Sequence, residues 1–267
     1  MEIYNSVSEG IMRKAIVLYE QGLSLKQLSK EVEMPRETLR AKLKRAGVEL
    51  RKSRRDLAIK YHSPIEGIDE NVAELLGLHA GDGWLSKDKW GTACNSNDKN
   101  LISRVYDLSR KVLGIEPTLS KSSLHGVHIR SGQRQVIEYF KRRFPVGKKA
   151  YTIRIPNDIM ESKDIRVIKG VLRGLFSSDG CFNFRKRGLS PYVRFHSKSK
   201  VLRDQFIELA SKLGLRCHAY TAKHRTGVIY IAQFSDKCTV LRWMDEVGTT
   251  CDTHIRIFGT WKKLKRE

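Results

Sequence analysis

The feature that most constrains this chain is that it says the same thing twice. The stretch ELLGLHAGDGWLS around Asp82 is answered by VLRGLFSSDGCFN around Asp179. Gly77 matches Gly174, Leu78 matches Leu175, Asp82 matches Asp179 and Gly83 matches Gly180, at a constant offset of 179 − 82 = 97. The match continues downstream with small gaps: Ser96 with Ser197, Gly114 with Gly214, Gly126-Val127 with Gly227-Val228, and Val146-Gly147 with Val247-Gly248. One short match is chance; an ordered series over ~100 residues means two copies of one domain. The copies span 65–164 and 165–267.

Each copy reads as helix, two strands, helix, two strands, helix, an αββαββα order. In the first copy the strands are WLSKDKW, GTACNS, PTLSKS and GVHIRS; in the second they are CFNFRK, YVRFHS, CHAYTA and VIYIAQF. LISRVYDLSRKVLG and VLRDQFIELASKLG lie between the strand pairs, and VIEYFKRRF and TVLRWMDEV close the copies. Ala73, Gly77 and Gly81 recur every four residues in the first motif helix, as do Gly170, Gly174 and Ser178 in the second. That spacing puts each set on one helical face. A glycine inside a helix costs ~1 kcal/mol relative to alanine, so several together need a reason. Close approach of two helix backbones supplies it, and predicts a pseudo-twofold helix pair.

Both motif helices end at Asp-Gly, so the pairing sets Asp82 beside Asp179. Two carboxylates at helix C-termini meet the negative end of each dipole and repel each other. A divalent cation relieves both problems, and hard oxygen ligands suit Mg²⁺, with Mn²⁺ as a substitute. Such a site can activate water and stabilise a leaving oxygen in phosphodiester hydrolysis. Asp-Gly as a plain turn would explain either copy alone but not the acid and the small face in both.

Charge names the partner class. With 51 Lys plus Arg against 29 Asp plus Glu, the formal charge is +22, which calls for a polyanion. Nucleic acid comes first. A membrane surface comes second, but no long basic amphipathic helix and no apolar run near ~18 residues stands out. The start, MEIYNSVSEG, lacks the basic-then-apolar order of a signal peptide. Cys94, Cys181, Cys217, Cys238 and Cys251 are scattered without a CxxC pair, which argues against disulfides and zinc. The expectation is a reduced, cytoplasmic or nucleoid-associated protein that is not secreted.

Before the repeats, residues 1–50 read as a helix-turn-helix. IMRKAIVLYEQG ends at Gly22; Ser24 caps LKQLSKEV; Glu33-Met34 turn; Pro35 opens PRETLRAKLKRAG, which stops at Gly47. Leu25, Leu28, Val32, Leu39 and Leu43 should meet Ala15, Leu18 and Tyr19 in a small core. The exposed face of the last helix carries Arg36, Thr38, Arg40 and Lys44, residues suited to bases and phosphates in a major groove. Residues 51–64, with Arg51, Arg54 and Arg55, read as a basic linker able to follow a phosphate backbone.

LLGLHAGDG and LRGLFSSDG resemble the two motifs of the LAGLIDADG homing endonucleases in their single-chain form. The resemblance runs from Ile65 to the C-terminus and implies an α+β fold: tandem pseudo-twofold αββαββα repeats whose saddle-shaped antiparallel sheets face the major groove of double-stranded DNA. It implies a monomeric endodeoxyribonuclease that cuts both strands of a long asymmetric site and leaves 3′ overhangs. Asp82 and Asp179 take the metal-binding positions, with the backbone carbonyls of Gly81 and Ser178 as added ligands. A basic helper is implied near each scissile phosphate. VGKKAYTIRIP offers Lys148 and Lys149, the latter the better match. The second copy has Thr250 there, leaving His254, Arg256 or Lys198 to stand in. Polar helpers are implied at Ser96 and Ser197, with Asn97 and Lys198 beside them. Base readers would be Lys87, Lys89, Trp90 and Thr92 in the first sheet, and Asn183, Arg185, Arg187, Tyr192 and Arg194 in the second. The tail TWKKLKRE reads as a basic end. Two other readings stay open: a non-catalytic DNA-binding regulator of the WhiA type, and a maturase acting on host-intron RNA.

Overall fold

A computed structural model describes residues 2–20, 23, 25–50, 67–121, 126–225 and 227–265. It divides into two compact units, Met1–Leu57 and Ala58–Glu267. Gly22, Ser24, Arg51, Arg54, Arg55 and the rest of the basic stretch 51–64 lie outside the described residues. Among the described residues, no helix is long and apolar enough to cross a membrane.

The first unit is three helices, α1 (Glu2–Glu20), α2 (Leu25–Glu31) and α3 (Arg36–Arg45). Helix α1 starts nine residues before the expected Ile11, because a lone Gly10 weakens a helix without ending it. Ala15, Tyr19, Leu28, Leu39 and Leu43 form the buried centre, with Leu18, Leu25 and Val32 packed around it. Between α2 and α3, Glu33 takes a left-handed φ of 49°, and the Ser29 hydroxyl donates to the Met34 carbonyl at 2.6 Å. Pro35 stands as the cap of α3 rather than inside it, its carbonyl accepting from the Leu39 amide at 2.9 Å. Gly47, at φ 76°, ends that helix turn. Leu39 and Leu43 point inward, while Arg36, Thr38, Arg40 and Lys44 are exposed on the other side.

The second unit repeats one order twice. The first half is α4 (Glu70–Asp82), β1 (Gly83–Leu85), β2 (Trp90–Asn95), α5 (Lys99–Leu113), β3 (Thr118–Lys121), β4 (Gly126–Ser131) and α6 (Arg134–Lys141). After the one-turn helix α7 (Asn157–Met160) comes the second half. It contains α8 (Ile165–Asp179), β5 (Gly180–Arg185), β6 (Ser190–Ser197), α9 (Lys200–Lys212), β7 (His218–His224), β8 (Gly227–Phe234) and α10 (Lys237–Glu246). Each half makes an antiparallel four-stranded sheet, ordered β1-β2-β4-β3 and β5-β6-β8-β7. One buried cluster runs through both halves, from Trp90 and Phe140 to Phe206 and Trp243. The α+β tandem repeat is therefore the observed architecture.

The helix pair at the centre is α4 against α8. A side chain on Gly77 would strike the Val171 carbonyl, one on Gly174 the Glu74 carbonyl and the Leu78 amide, and one on Gly170 the Glu70 carbonyl. Backbone meets backbone along the whole small face. Toward the start of α4, Glu74 is fully buried and held by Arg104 (2.6 Å) and Arg173 (3.1 Å), the latter reaching across from α8. Removing one partner of such a cluster would strand a buried charge.

Three expectations are corrected. WLSKDKW is not one strand: the polar SKDK closes a turn, with the Ser86 amide donating to the Lys89 carbonyl at 2.8 Å. Lys87 and Lys89 are exposed on that turn rather than on a strand. Trp90 and Thr92 are buried, and the Trp90 indole donates to His79 Nδ1 at 3.1 Å, so neither can read bases. In the second sheet, Arg187 falls in the 3₁₀ turn Arg187–Leu189, while Arg185 ends β5 exposed.

The tail is also more than a basic end. Residues Asp252–Leu264 form α11, whose Phe258 and Trp261 pack on Phe182 and whose Trp261 indole donates to the Leu189 carbonyl at 2.8 Å. Trp261→Ala removes a fully buried ring from this helix and should cost about 3–5 kcal/mol, read as a lower denaturation midpoint in urea.

Candidate active site

Helices α4 and α8 end at the acids, so the backbone contact along their small faces delivers both carboxylates to one place. Gly83 and Gly180 follow in extended conformation, their amides donating back to the His79 and Phe176 carbonyls. Glycine is required there, since a Cβ would meet the preceding turn of its own helix. Burial raises the Asp82 carboxyl to about 6, with Lys149 pulling it back. Burial and the Asp82 charge together raise Asp179 to about 7, again opposed by Lys149. The Asp179 carboxylate also comes to 3.3 Å from where a side chain on Gly81 would begin.

Lys149 is the cation of this site. Its ammonium donates to three successive carbonyls at the end of α4: His79 at 2.7 Å, Ala80 at 2.5 Å and Gly81 at 2.6 Å. Burial pulls it down to about 8 while both acids hold it up, so it is mostly charged at neutral pH. It caps the negative end of the helix dipole that Asp82 would otherwise face alone. Lys148, its neighbour, is exposed and does not line this place. The Gly81 carbonyl is already engaged by Lys149, so only its second lone pair is left for a metal. Ser178 turns its hydroxyl back to the Gly174 and Leu175 carbonyls at 3.0 and 3.1 Å.

A cleft of about 320 Å³ opens beside the acids, lined by Gly81, Lys149, Asp179, His196, Ser197 and Lys198 among others. Lys198, one of the expected stand-ins for Thr250, thus joins Lys149 near Asp179. The other stand-ins do not. Arg256 is exposed on α11. His254 is buried, pushed down to about 4 by that burial, and its Nε2 lies 3.2 Å from the Gly180 carbonyl. Thr250 itself bonds the Ser177 hydroxyl through its amide (2.9 Å) and its side chain (3.0 Å). One repeat ends in a lysine clamp, the other in a neutral hydroxyl network.

The polar helper expected at Ser96 is displaced. Gly83 pairs with Thr92 in the first sheet and Gly180 with Phe195 in the second, so Thr92 corresponds to Phe195 and Cys94 to Ser197. From these equivalent positions the next helix begins five residues after Cys94 (Lys99) but three after Ser197 (Lys200), and the two extra residues carry Ser96 out to the surface. Cys94 holds the Ser197 position; burial first, then the Asp82 and Asp98 charges, push its thiol up to about 12, so it stays protonated.

The donor set fits a hard divalent cation. Carboxylates are the donors such an ion takes; among the described residues no group of three or more His, Cys, Asp or Glu could hold a metal by itself, so carbonyl, water or phosphate oxygens would have to complete its shell. The raised acids fix a pH dependence. Both carboxyls titrate higher folded than unfolded (ordinary value ~4), so the folded state binds the extra protons. Stability from this pair is full below ~4 and is lost as pH climbs through about 6 and 7. Metal-free protein in EDTA should melt lower at pH 8 than at pH 5, and Asp179→Asn should flatten that difference. Equal slopes for variant and wild type would refute the acid pair as its source.

Comparisons with known proteins bear on the fold. Residues 166–248 match the family model of the LAGLIDADG-like domain. A replication factor C small subunit from Methanocaldococcus jannaschii is 24% identical over 203 residues, 74% of this chain, and the chain spans only 10% of that relative's length. Mesophilic variants of the homing endonuclease I-DmoI superpose with a TM-score of 0.50 at 18% identity, covering 68% of this chain and 92% of theirs. A further I-DmoI structure, in complex with its target DNA nicked in the coding strand and in the presence of manganese, gives 0.50 at 17% identity over 70% and 100%. Full-length DUF199/WhiA from Thermatoga maritima gives 0.47 at 12% identity over 77% and 63%. These structural likenesses are likenesses of fold.

Proposed function

We propose that this chain, which carries a LAGLIDADG-like domain, is a site-specific double-strand DNA endonuclease of the homing type, dependent on Mg²⁺ or a similar divalent ion. The observation that carries the reading is the site itself: Asp82 and Asp179, both raised, at two helix ends pressed backbone to backbone, with the Lys149 ammonium on the last carbonyls of the first helix beside them. A regulator that only binds DNA has no use for two costly carboxylates in that place.

Asp82 and Asp179 would hold the metal, with the free lone pair of Gly81 and the Ser178 carbonyl as further oxygens. The bound ion would supply an activated water and neutralise charge on the scissile phosphate. Lys149 stands ready to offset charge that grows on the phosphate oxygens, and Lys198 adds a second cation on the Asp179 side. Ser197 lines the same cleft and can orient water. The net charge of +22 supports a nucleic-acid partner, and the exposed Arg36, Thr38, Arg40 and Lys44 on α3 would lengthen the DNA footprint.

The test is to select duplexes from a random library by binding and then add Mg²⁺ or Mn²⁺. Double-strand cleavage with 3′ overhangs is expected. Tight, selective binding with no cutting by any divalent metal would overturn the enzyme in favour of a DNA-binding regulator. Removing residues 1–57 should weaken binding to the selected duplex about tenfold or more and flatten its salt dependence, as lost phosphate contacts do. Unchanged affinity would sink the role assigned to the helix-turn-helix.

A further inference from the structure

Two residues beyond each acid, the two sheets stop being alike. Trp84 in β1 pairs with Gly91, which pairs with Arg130; Cys181 in β5 pairs with Arg194, which pairs with Gln233. The registers make Gly91 and Arg194 equivalent. In the first repeat the Trp84 ring lies against Gly91, so close that a side chain there would strike it at 2.7 Å. In the second repeat a guanidinium rises from the same point.

That guanidinium is fixed. Arg194 donates through Nε (2.9 Å) and one terminal nitrogen (2.8 Å) to the side-chain oxygen of Gln233. The Tyr220 hydroxyl donates to the same oxygen at 2.8 Å. The rings of Tyr192 and Tyr220 lie 4.9 and 5.8 Å from the guanidinium carbon. No ion pair engages Arg194 among the described residues. A lysine or a free arginine on a rim serves a phosphate; a planar fork held on one edge serves a planar ligand. Gln233 occupies the side edge, Nε with one terminal nitrogen. The end edge, with donors from both terminal nitrogens, remains to meet two acceptors in line. Guanine offers that pair, N7 and O6, in the major groove. Gln233 cannot itself read adenine in two-point fashion, because its oxygen already accepts three hydrogen bonds.

We propose that Arg194 is a specificity-determining residue that reads a single guanine in the half-site under the second repeat, with Gln233 as its positioning residue; at the equivalent point of the first repeat Gly91 carries no side chain. The inference rests on the nuclease reading only in needing double-stranded DNA on this sheet. His196, two residues along the same face and so about 7 Å away, lines the acid cleft, which sets the guanine close to the cut.

The test is a binding-selection profile from a randomised duplex library for the full chain and for Arg194→Ala, Arg194→Lys and Gln233→Ala, each checked for an unchanged melting temperature. The wild type should prefer G·C about 10- to 100-fold at one position of the half-site under the second repeat. Arg194→Ala and Arg194→Lys should both erase that preference alone, the lysine keeping the charge but not the fork. Gln233→Ala should weaken it partly at the same position. If instead Arg194→Ala lowers affinity equally for all sequences and reduces the salt slope by about one, Arg194 is a phosphate contact and the proposal falls. An unchanged profile overturns it too. A wild type that enriches no duplex overturns DNA binding itself, whereas one that enriches but never cuts removes the nuclease reading and leaves this inference standing.

Discussion

Asp179→Asn should abolish double-strand cleavage of a selected duplex while leaving its binding within a few-fold of wild type, and Asp82→Asn should do the same. Asparagine keeps the shape and one oxygen but loses the charge that a divalent ion needs from a hard ligand. The lost stabilisation is several kcal/mol of barrier, which means a fall in rate on the order of 10³-fold or more. On the proposed reading binding survives, because the cationic side chains assigned to DNA are not the acids. A second readout separates the site's chemistry from simple damage. Burial raises Asp179 to about 7, so above that pH its ionised form is a cost to the metal-free fold. The asparagine variant should therefore melt higher than wild type at pH 8 in EDTA, and Mg²⁺ should raise the wild type more than the variant. A variant that cuts at a normal rate would remove Asp179 from the mechanism. One that neither cuts nor melts cooperatively would show a fold requirement instead.

The repeat and its acids were legible in the sequence because they follow from helical periodicity alone. A small residue every fourth position, closed by Asp-Gly, needs no knowledge of partners to predict the α4–α8 contact. What failed is what depends on counting across turns. Ser96 matches Ser197 when residues are counted back from the following helix, but strand pairing puts Cys94 there, because the first copy runs two residues further from that position to the helix. WLSKDKW alternates well enough for a strand, yet its four polar residues close a turn. The helix α11 was hidden by the lysines at its end, although Phe258 and Trp261 three residues apart carried its buried face. Lys149 was singled out by its match to the family's basic helper in VGKKAYTIRIP. Its clamp on three carbonyls, and the Glu74–Arg104–Arg173 cluster, are meetings of distant segments that no local pattern encodes.

The glycines of the helix pair carry the second large expectation. Gly174→Ala should destabilise the protein by about 2–4 kcal/mol and take cleavage with it, since an added methyl has no room to relax. Its Cβ would meet the Glu74 carbonyl and, at 2.7 Å, the Leu78 amide, both backbone atoms of α4. A flexible side chain could swing aside; a helix backbone can only move as a body. That movement parts α4 from α8, and with them Asp82 from Asp179, so the same methyl that loosens the interface spoils the proposed metal site. Gly259 in α11 supplies the control. Nothing lies within 4 Å of a Cβ there, and it sits in a helix interior. Gly259→Ala should therefore stabilise by up to about 1 kcal/mol, the ordinary gain of alanine over glycine in a helix. Opposite signs for one substitution in two helices, read from urea midpoints, would mean that close backbone approach rather than helix propensity keeps glycine at 174. If both variants gain stability, α4 and α8 are not in contact through their backbones, and the shared acid site loses its structural basis.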